Sequence, residues 1–121
     1  MPSRTRFPTD FRSYPGAGEH LASWGYIVAI PSFPSEAVEV RASDVQYLFS
    51  YLEAENANSS SQFFQKIDTN RFGLVGHSLG GLSTMMVTAR DSRIKVAVAL
   101  DAANPNAWNY EQEAPNITAP L

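Results

Sequence analysis

The apolar positions of this chain form three short, nearly continuous runs. Residues 26–30 are apolar throughout and end at Pro31, a pattern typical of a strand buried on both faces of a parallel sheet. Residues 72–75 form a second run, which leads directly into Gly76, and residues 94–100 form a third. The sequence therefore predicts three buried strands.

Other segments carry apolar residues at helical spacing. Over residues 36–55 these recur at i, i+3, i+4 and i+7 with charged residues between them, which predicts an amphipathic helix. Similar spacing predicts a helix that begins after Ser78 and ends near residues 90–92. A shorter helix around residues 19–24 is expected to end at Gly25.

The alternation of these helices and strands predicts an α/β fold with parallel strands joined by right-handed crossovers. Residues 1–15 contain three prolines and no apolar periodicity, which predicts an irregular N-terminal segment. Residues 102–121 are rich in Asn and Pro and predict a loop that leads to a truncated strand. We interpret residues 1–121 as one partial domain.

The residues between the second strand and its following helix fit the pattern G-x-S-x-G, with Ser78 at its centre. A nucleophilic serine in this context stands on a very tight strand-to-helix turn. Gly76 and Gly80 let the neighbouring backbone pass without a Cβ clash, and Gly81 gives further room. The backbone N–H of Leu79, at the start of the helix, is a candidate donor to an oxyanion.

A serine nucleophile needs a base, usually a histidine that a carboxylate holds in the right tautomer. The chain contains two histidines, His20 and His77, and no histidine follows Ser78. We expect His77 to belong to the turn and to point away from Ser78 toward packing neighbours. His20 lies on the first predicted helix, where an exposed or capping histidine is the ordinary interpretation. The base is therefore missing from the sequence.

Asp101 stands at the carboxyl end of the third predicted strand, the edge of the sheet at which ligands bind in α/β folds. It is the candidate acid that orients the base. The alternative is a capping residue in the following loop, a common position for aspartate. We interpret Asp44 and Asp91 as solvated or capping residues.

Residues 21–31, 76–81 and 98–101 together resemble the α/β-hydrolase superfamily. Within it they are most similar to the group of platelet-activating-factor acetylhydrolases, chlorophyllases and polyester-degrading cutinases, over about residues 11 to 121. In the acetylhydrolase and chlorophyllase branch, the resemblance implies that Asp101 is the triad acid. In the cutinase branch the acid comes one strand later, and that strand would begin near residues 117–121.

The same resemblance implies that the chain is a fragment. Residues 1–14 contain no apolar strand, so we expect the family's preceding strand and its oxyanion loop to lie upstream, and the triad histidine to lie downstream. The resemblance implies a serine hydrolase that acts on carboxylic esters through an acyl-enzyme, inactive as this chain alone. Thioesterase or acyltransferase chemistry would leave the same motif. The rival from another class is a non-catalytic α/β-hydrolase-like binding module.

The composition of the chain limits the classes of partner and cofactor that we expect. A formal net charge of −3, with scattered basic residues, argues against nucleic acid as a partner, and no apolar run reaches bilayer length. No cysteine is present, so a thiolate metal site is excluded, and the predicted chemistry needs neither metal nor organic cofactor. The expected substrate is a small-molecule, lipid or polymer ester. Compartment and oligomeric state stay open.

Overall fold

A computed structural model describes residues 15–33, 35, 37–102 and 108–121. The chain divides into two compact units, residues 1–36 and residues 37–121. The described elements, in chain order, are α1 (Pro15–Ser23), α2 (Val38–Ala57), β1 (Phe72–His77), α3 (Leu79–Arg90), β2 (Ile94–Leu100), α4 (Tyr110–Glu113) and a 3₁₀ helix (Ala114–Asn116).

The first unit contains α1, which confirms the short helix predicted there but begins earlier, at Pro15. Proline suits the first turn of a helix, where its missing N–H would have no intrahelical acceptor. The helix ends at Ser23, and the turn after it contains Gly25, whose φ of 92° is easily reached only without a Cβ. The Gly25 N–H donates to the Ala22 carbonyl over 3.0 Å, which closes this last turn.

The prediction of a strand over residues 26–30 is wrong, and the sheet of the described residues has two strands rather than three. Tyr26 and Ile27 are largely exposed, and the Tyr26 N–H donates back to the Leu21 carbonyl instead of to a neighbouring strand. The side chain of Ile30 packs on Gly18 of α1. Apolar composition alone does not make a strand, because a strand also requires a hydrogen-bonded neighbour. Here the apolar side chain of Ile30 packs on α1 instead.

The second unit contains the parallel pair β1 and β2, which confirms the other two predicted strands. Their register aligns Leu74 with Ala97 and His77 with Leu100, after an irregularity between Phe72 and Gly73. The carboxyl ends of both strands therefore lie at one edge of the sheet, next to each other.

Helix α3 covers one face of this sheet and also packs on α2. Leu82, Met86 and Val87 of α3 are the centre of the core, with exposed fractions of 1%, 0% and 0%. Burying a side chain of this size stabilises the fold by roughly 1.5–3 kcal/mol. The ring of Phe49 on α2 reaches Phe72 of β1, with 4.8 Å between the ring centroids.

The described residues leave the opposite face of the sheet, which is apolar, about half exposed. Val75 of β1 and three residues of β2, Val96, Val98 and Leu100, are each between 42% and 58% exposed. Parallel sheets are usually covered on both faces, which makes this face unusual for an α/β protein.

Part of the segment predicted as a loop after Asp101 is helical. Residues 103–107 lie outside the described part of the chain, and residues 110–116 form α4 and the 3₁₀ helix. Trp108 is buried, with its ring against Tyr110 at a centroid distance of 5.7 Å. Further on, the Pro120 carbonyl accepts a 3.0 Å hydrogen bond from the Ala97 N–H of β2. The chain thus returns to β2 where a further strand was expected to begin.

Two arginines link the helices of the second unit by ion pairs. Arg90, at the end of α3, donates to both oxygens of Glu113 in α4, at 2.6 and 2.9 Å, and of Glu39 in α2, at 2.7 and 3.1 Å. These hydrogen bonds lower the pKa of both glutamates. Arg93 joins Asp91 to Glu53 of α2, at 2.6 and 2.5 Å.

Asp91 is the C-cap residue of α3, which is one of the two roles that the sequence left open for it. Its carboxylate does accept a hydrogen bond from the Arg93 N–H, as a capping residue does, but the side chain is 7% exposed rather than solvated. Hydrogen bonds from the Arg93 guanidinium lower the pKa of this carboxyl, and burial opposes that shift.

Candidate active site

Ser78 occupies the turn between the last residue of β1 and the first residue of α3. Its backbone has φ 57° and ψ −116°, a conformation that residues other than glycine rarely adopt. Such a conformation costs on the order of 1–3 kcal/mol and persists only where the surrounding structure enforces it. Among the described residues, three non-glycine residues have a positive φ: the serine of the G-x-S-x-G pattern, Gln65 and Asp101.

Two backbone hydrogen bonds hold this turn. The Ser78 N–H donates to the Leu100 carbonyl at the end of β2 over 2.9 Å, and the Ser78 carbonyl accepts from the Leu82 N–H over 3.1 Å. The first bond continues the parallel ladder by one residue, and the second is the first turn of α3. Ser78 is therefore fixed to the sheet and to the helix at once.

Gly76 permits the tight approach of helix to strand. A methyl group at this position would overlap the carbonyl of Gly80 and the hydroxyl of Thr84. Backbone atoms cannot move away as the end of a flexible side chain can, so the turn requires glycine here. At Gly80 the space for a Cβ is open.

Leu79 and His77 flank the serine. Leu79 is the first residue of α3, so its N–H is one of the helix amides without an intrahelical acceptor. His77 is the last residue of β1 and is exposed. His20 is an exposed residue of α1 in the first unit, with its ring 6.4 Å from that of Trp24, centroid to centroid.

Asp101 directly follows β2 and is exposed, with a φ of 46°. The preceding residue, Leu100, is the one that accepts the hydrogen bond from Ser78. The structure thus places the serine turn and Asp101 at the carboxyl ends of neighbouring strands, at one edge of the sheet.

Two residues that take part in this arrangement were missed in the sequence. Thr84 lies against Gly76, and Ala102 lies against Gly81 in the first turn of α3. The small size of Gly81 and Ala102 was the available signal, but their proximity depends on the pairing of β1 with β2.

Within residues 15–33, 35, 37–102 and 108–121, no group of three or more His, Cys, Asp or Glu side chains could hold a metal ion. Among these same residues, no helix is both long enough and apolar enough to cross a membrane.

Comparison with known proteins identifies the family. The family model described as PETase, PET hydrolase-like, matches residues 9–121. The chain belongs to the PET hydrolase-like family. This confirms the polyester-hydrolase group that the sequence resembles.

Curated relatives of this PET hydrolase-like chain include cutinases from Thermobifida. Cutinase est1 of Thermobifida alba is 27% identical over 103 residues, which cover 85% of this chain and 33% of the relative. Cutinase 1 of Thermobifida cellulosilytica and the cutinase of Thermobifida fusca (strain YX) are each 26% identical, over 37% and 32% of their lengths. The chain spans about a third of the length of these relatives.

Proposed function

We propose that the protein carrying this chain hydrolyses carboxylic esters through an acyl-enzyme on Ser78. The observation that carries the proposal is the backbone of Ser78, with φ 57° at a strand-to-helix turn in a chain of the PET hydrolase-like family. Strained conformations of non-glycine residues cluster at functional sites, because they destabilise the fold and are retained mainly where the function depends on them.

The chemistry follows from the roles of the groups around the turn. A base removes the Ser78 hydroxyl proton as the oxygen attacks the ester carbonyl carbon, and the carbonyl oxygen becomes an oxyanion. The N–H of Leu79 is suited to donate to that oxyanion, because it lies at the start of α3 where the helix dipole favours negative charge. Collapse of this intermediate expels the alcohol, which takes the proton from the base. Water then releases the acid by the same steps, and Ser78 regains its proton.

The acid that orients the base is proposed to lie one strand after β2, the position that the resemblance implies for the cutinase branch, because the relatives of this chain are cutinases. The alternative acid is Asp101. It stands one residue beyond Leu100, the hydrogen-bond partner of Ser78, and at the same edge of the sheet. The base itself is proposed to be a histidine outside these 121 residues, because the two within them, His20 and His77, do not follow Ser78 in the chain. The 121-residue chain alone is therefore expected to be inactive.

The proposed substrate is a carboxylic ester of a small molecule, a lipid or a polymer. The names of the relatives, cutinases and PET hydrolase-like proteins, favour polymeric esters among these. The mechanism needs no metal and no organic cofactor. Transfer of the acyl group to an acceptor other than water would use the same turn, and product analysis separates the two reactions.

A fluorophosphonate probe tests the proposal. In the full-length protein that contains these residues, we expect covalent labelling that Ser78→Ala abolishes. Ser59→Ala, in the exposed loop after α2, is the matched control and should label like the wild type. A folded full-length protein that neither labels nor cleaves p-nitrophenyl esters would overturn the proposal.

The second candidate is a non-catalytic binding module, which the lack of a histidine after Ser78 favours. The same probe separates the two by chain length. The hydrolase predicts labelling of the full-length protein and none of the 121-residue chain. The module predicts that neither is labelled.

A further inference from the structure

Arg90 links the helix that follows Ser78 to the segment that follows β2. It is the last residue of α3, and its Nε and Nη2 groups donate to the two oxygens of Glu113 in α4, at 2.6 and 2.9 Å. A bidentate pair of this kind fixes direction as well as distance. The two side chains are 27% and 26% exposed, so the pair is partly shielded from solvent. It anchors α4 to the end of α3.

Residues 108–121 lead from β2 toward the strand on which the cutinase branch carries its acid. Trp108, at the start of this segment, is buried, and the 3₁₀ helix (Ala114–Asn116) packs on α3. Near its end, the Pro120 carbonyl accepts a 3.0 Å hydrogen bond from the Ala97 N–H of β2. Glu113 lies between these contacts, so its pairing with Arg90 fixes the middle of the segment.

We propose that Arg90 is a positioning residue for the triad acid: through Glu113 it holds the segment after β2 on α3, and so sets where the next strand places its carboxylate relative to Ser78. The inference rests on the proposed function, in which the acid lies one strand after β2. Helix α3 then carries the serine turn at its first residue and the anchor of the acid-bearing segment at its last.

The second partner of Arg90 offers a way to isolate this role. The same guanidinium donates to both oxygens of Glu39, at 2.7 and 3.1 Å. Glu39 belongs to α2, which precedes β1 in the chain and does not lead to the acid. Its side chain is 63% exposed, and solvent weakens such a pair. Loss of Glu39 therefore removes an ion pair from Arg90 without releasing the segment after β2.

Small displacements of the acid matter to catalysis. Catalytic groups have to be held within about 0.5 Å and roughly 10–20° of the productive geometry. A misdirected carboxylate no longer fixes the tautomer of its histidine, and it stabilises the imidazolium less. The pKa of that histidine should then fall, since an opposite charge nearby is what favours the charged form.

The test is Glu113→Ala in the full-length protein, assayed on p-nitrophenyl butyrate across pH at a temperature at which circular dichroism shows every variant to be folded. We expect kcat to fall about tenfold, within the loss that a misplaced catalytic group produces, with KM within about twofold. The acid limb of kcat/KM should move to lower pH, which a smaller amount of folded enzyme would not cause. Glu39→Ala is the matched control and should leave kcat and the pH profile unchanged.

A double-mutant cycle decides whether Arg90 acts through Glu113. If it does, Arg90→Gln should lower kcat in the wild type and cost little in a protein that already carries Glu113→Ala. If Glu113→Ala fails to fold, Glu113→Gln keeps one acceptor for Arg90 and should give a smaller loss of kcat with a shift of the acid limb in the same direction.

The outcomes separate this inference from the proposed function. The role of Arg90 is overturned, and the Ser78 chemistry left standing, by an active wild type whose Glu113→Ala variant keeps its kcat and acid limb. Additive losses in the cycle, or an equal loss of kcat in Glu39→Ala, overturn it as well. A folded wild type without labelling or turnover overturns both.

Discussion

The backbone N–H of Ser78 donates a hydrogen bond to the carbonyl oxygen of Leu100 over 2.9 Å. Since His77 is already paired with Leu100 in the register of the sheet, the serine turn begins only where the parallel ladder ends. The helix then starts at once, with the Leu82 N–H bonded to the Ser78 carbonyl. Ladder and helix together enforce a backbone conformation that Ser78 would not adopt by itself.

Replacement of Ser78 by glycine should stabilise the protein while it abolishes labelling. Glycine adopts φ 57° without a Cβ clash, so we expect a gain of about 1 kcal/mol in the free energy of unfolding, less than the full strain because glycine loses more backbone entropy. Ser78→Ala keeps the Cβ and is the control that should show no such gain. Urea unfolding measures both variants, and equal stabilities for the two would contradict the strained turn.

Gly76→Ala and Gly80→Ala should have opposite effects on stability. The new methyl at position 76 overlaps the Gly80 carbonyl, so the helix and strand must separate, at a cost of about 2–4 kcal/mol. At position 80 the space is open and the residue is helical, so alanine should add about 0.5–1 kcal/mol. Thermal unfolding of the pair checks the prediction, which a destabilised Gly80→Ala would contradict.

The free energy of unfolding of the second unit should depend on Val87 far more than on Val40. Val87 is fully buried in α3, and its truncation to alanine leaves a cavity, with an expected loss of about 1.5–3 kcal/mol. Val40 is a helical valine of α2 with 44% exposure, and Val40→Ala should stay within about 0.5 kcal/mol of the wild type. Similar losses in chemical denaturation would mean that α3 is not the centre of the core.

Because of Asp91, the free energy of unfolding should fall at acidic pH. Because Arg93 lowers the pKa of this carboxyl in the folded state, the stabilisation is complete above the ordinary aspartate pKa and is lost as pH falls through the lower folded value. Asp91→Asn should cost about 1–3 kcal/mol at pH 7 and should lose less stability than the wild type on acidification below about pH 4.

Asp68→Asn is the matched control for this charge pair. Asp68 and Arg71 form an exposed ion pair at 3.3 Å, with both side chains more than half exposed, so its loss should change stability by less than about 0.5 kcal/mol. Urea titrations at pH 7, 4 and 3 measure all three proteins. An unchanged pH dependence in Asp91→Asn would show that Arg93 does not act on Asp91 as described.

Local patterns in the sequence were sufficient to predict most helices and strands of the second unit. The predicted strand over residues 94–100 coincides with β2, and the helix predicted after Ser78 ends at Arg90 as expected. The helix has apolar residues at helical spacing, the strand is a nearly continuous apolar run, and the two elements lie next to each other in the chain. The motif around Ser78 could be found for the same reason, since a turn of five residues is encoded by its own glycines.

Residues 26–30 show where the sequence misleads. Their composition is typical of a buried strand. A strand forms only where a neighbouring strand supplies hydrogen bonds, and the composition of a segment does not predict whether it has such a neighbour. The burial of Asp91 could not be predicted for a related reason, because it depends on Arg93 and on α2, which lies far from it in the chain.

The sequence by itself determined the α/β class, the family and the serine motif, because these depend on local spacing and on a backbone geometry at position 76 that only glycine accommodates. Only the tertiary structure decided that Ser78 bonds to Leu100, that Gly81 meets Ala102, and that the sheet of the described residues has two strands. Each of these follows from which distant segments of the backbone come within hydrogen-bonding or van der Waals distance, and the spacing of residues along the chain does not contain that information.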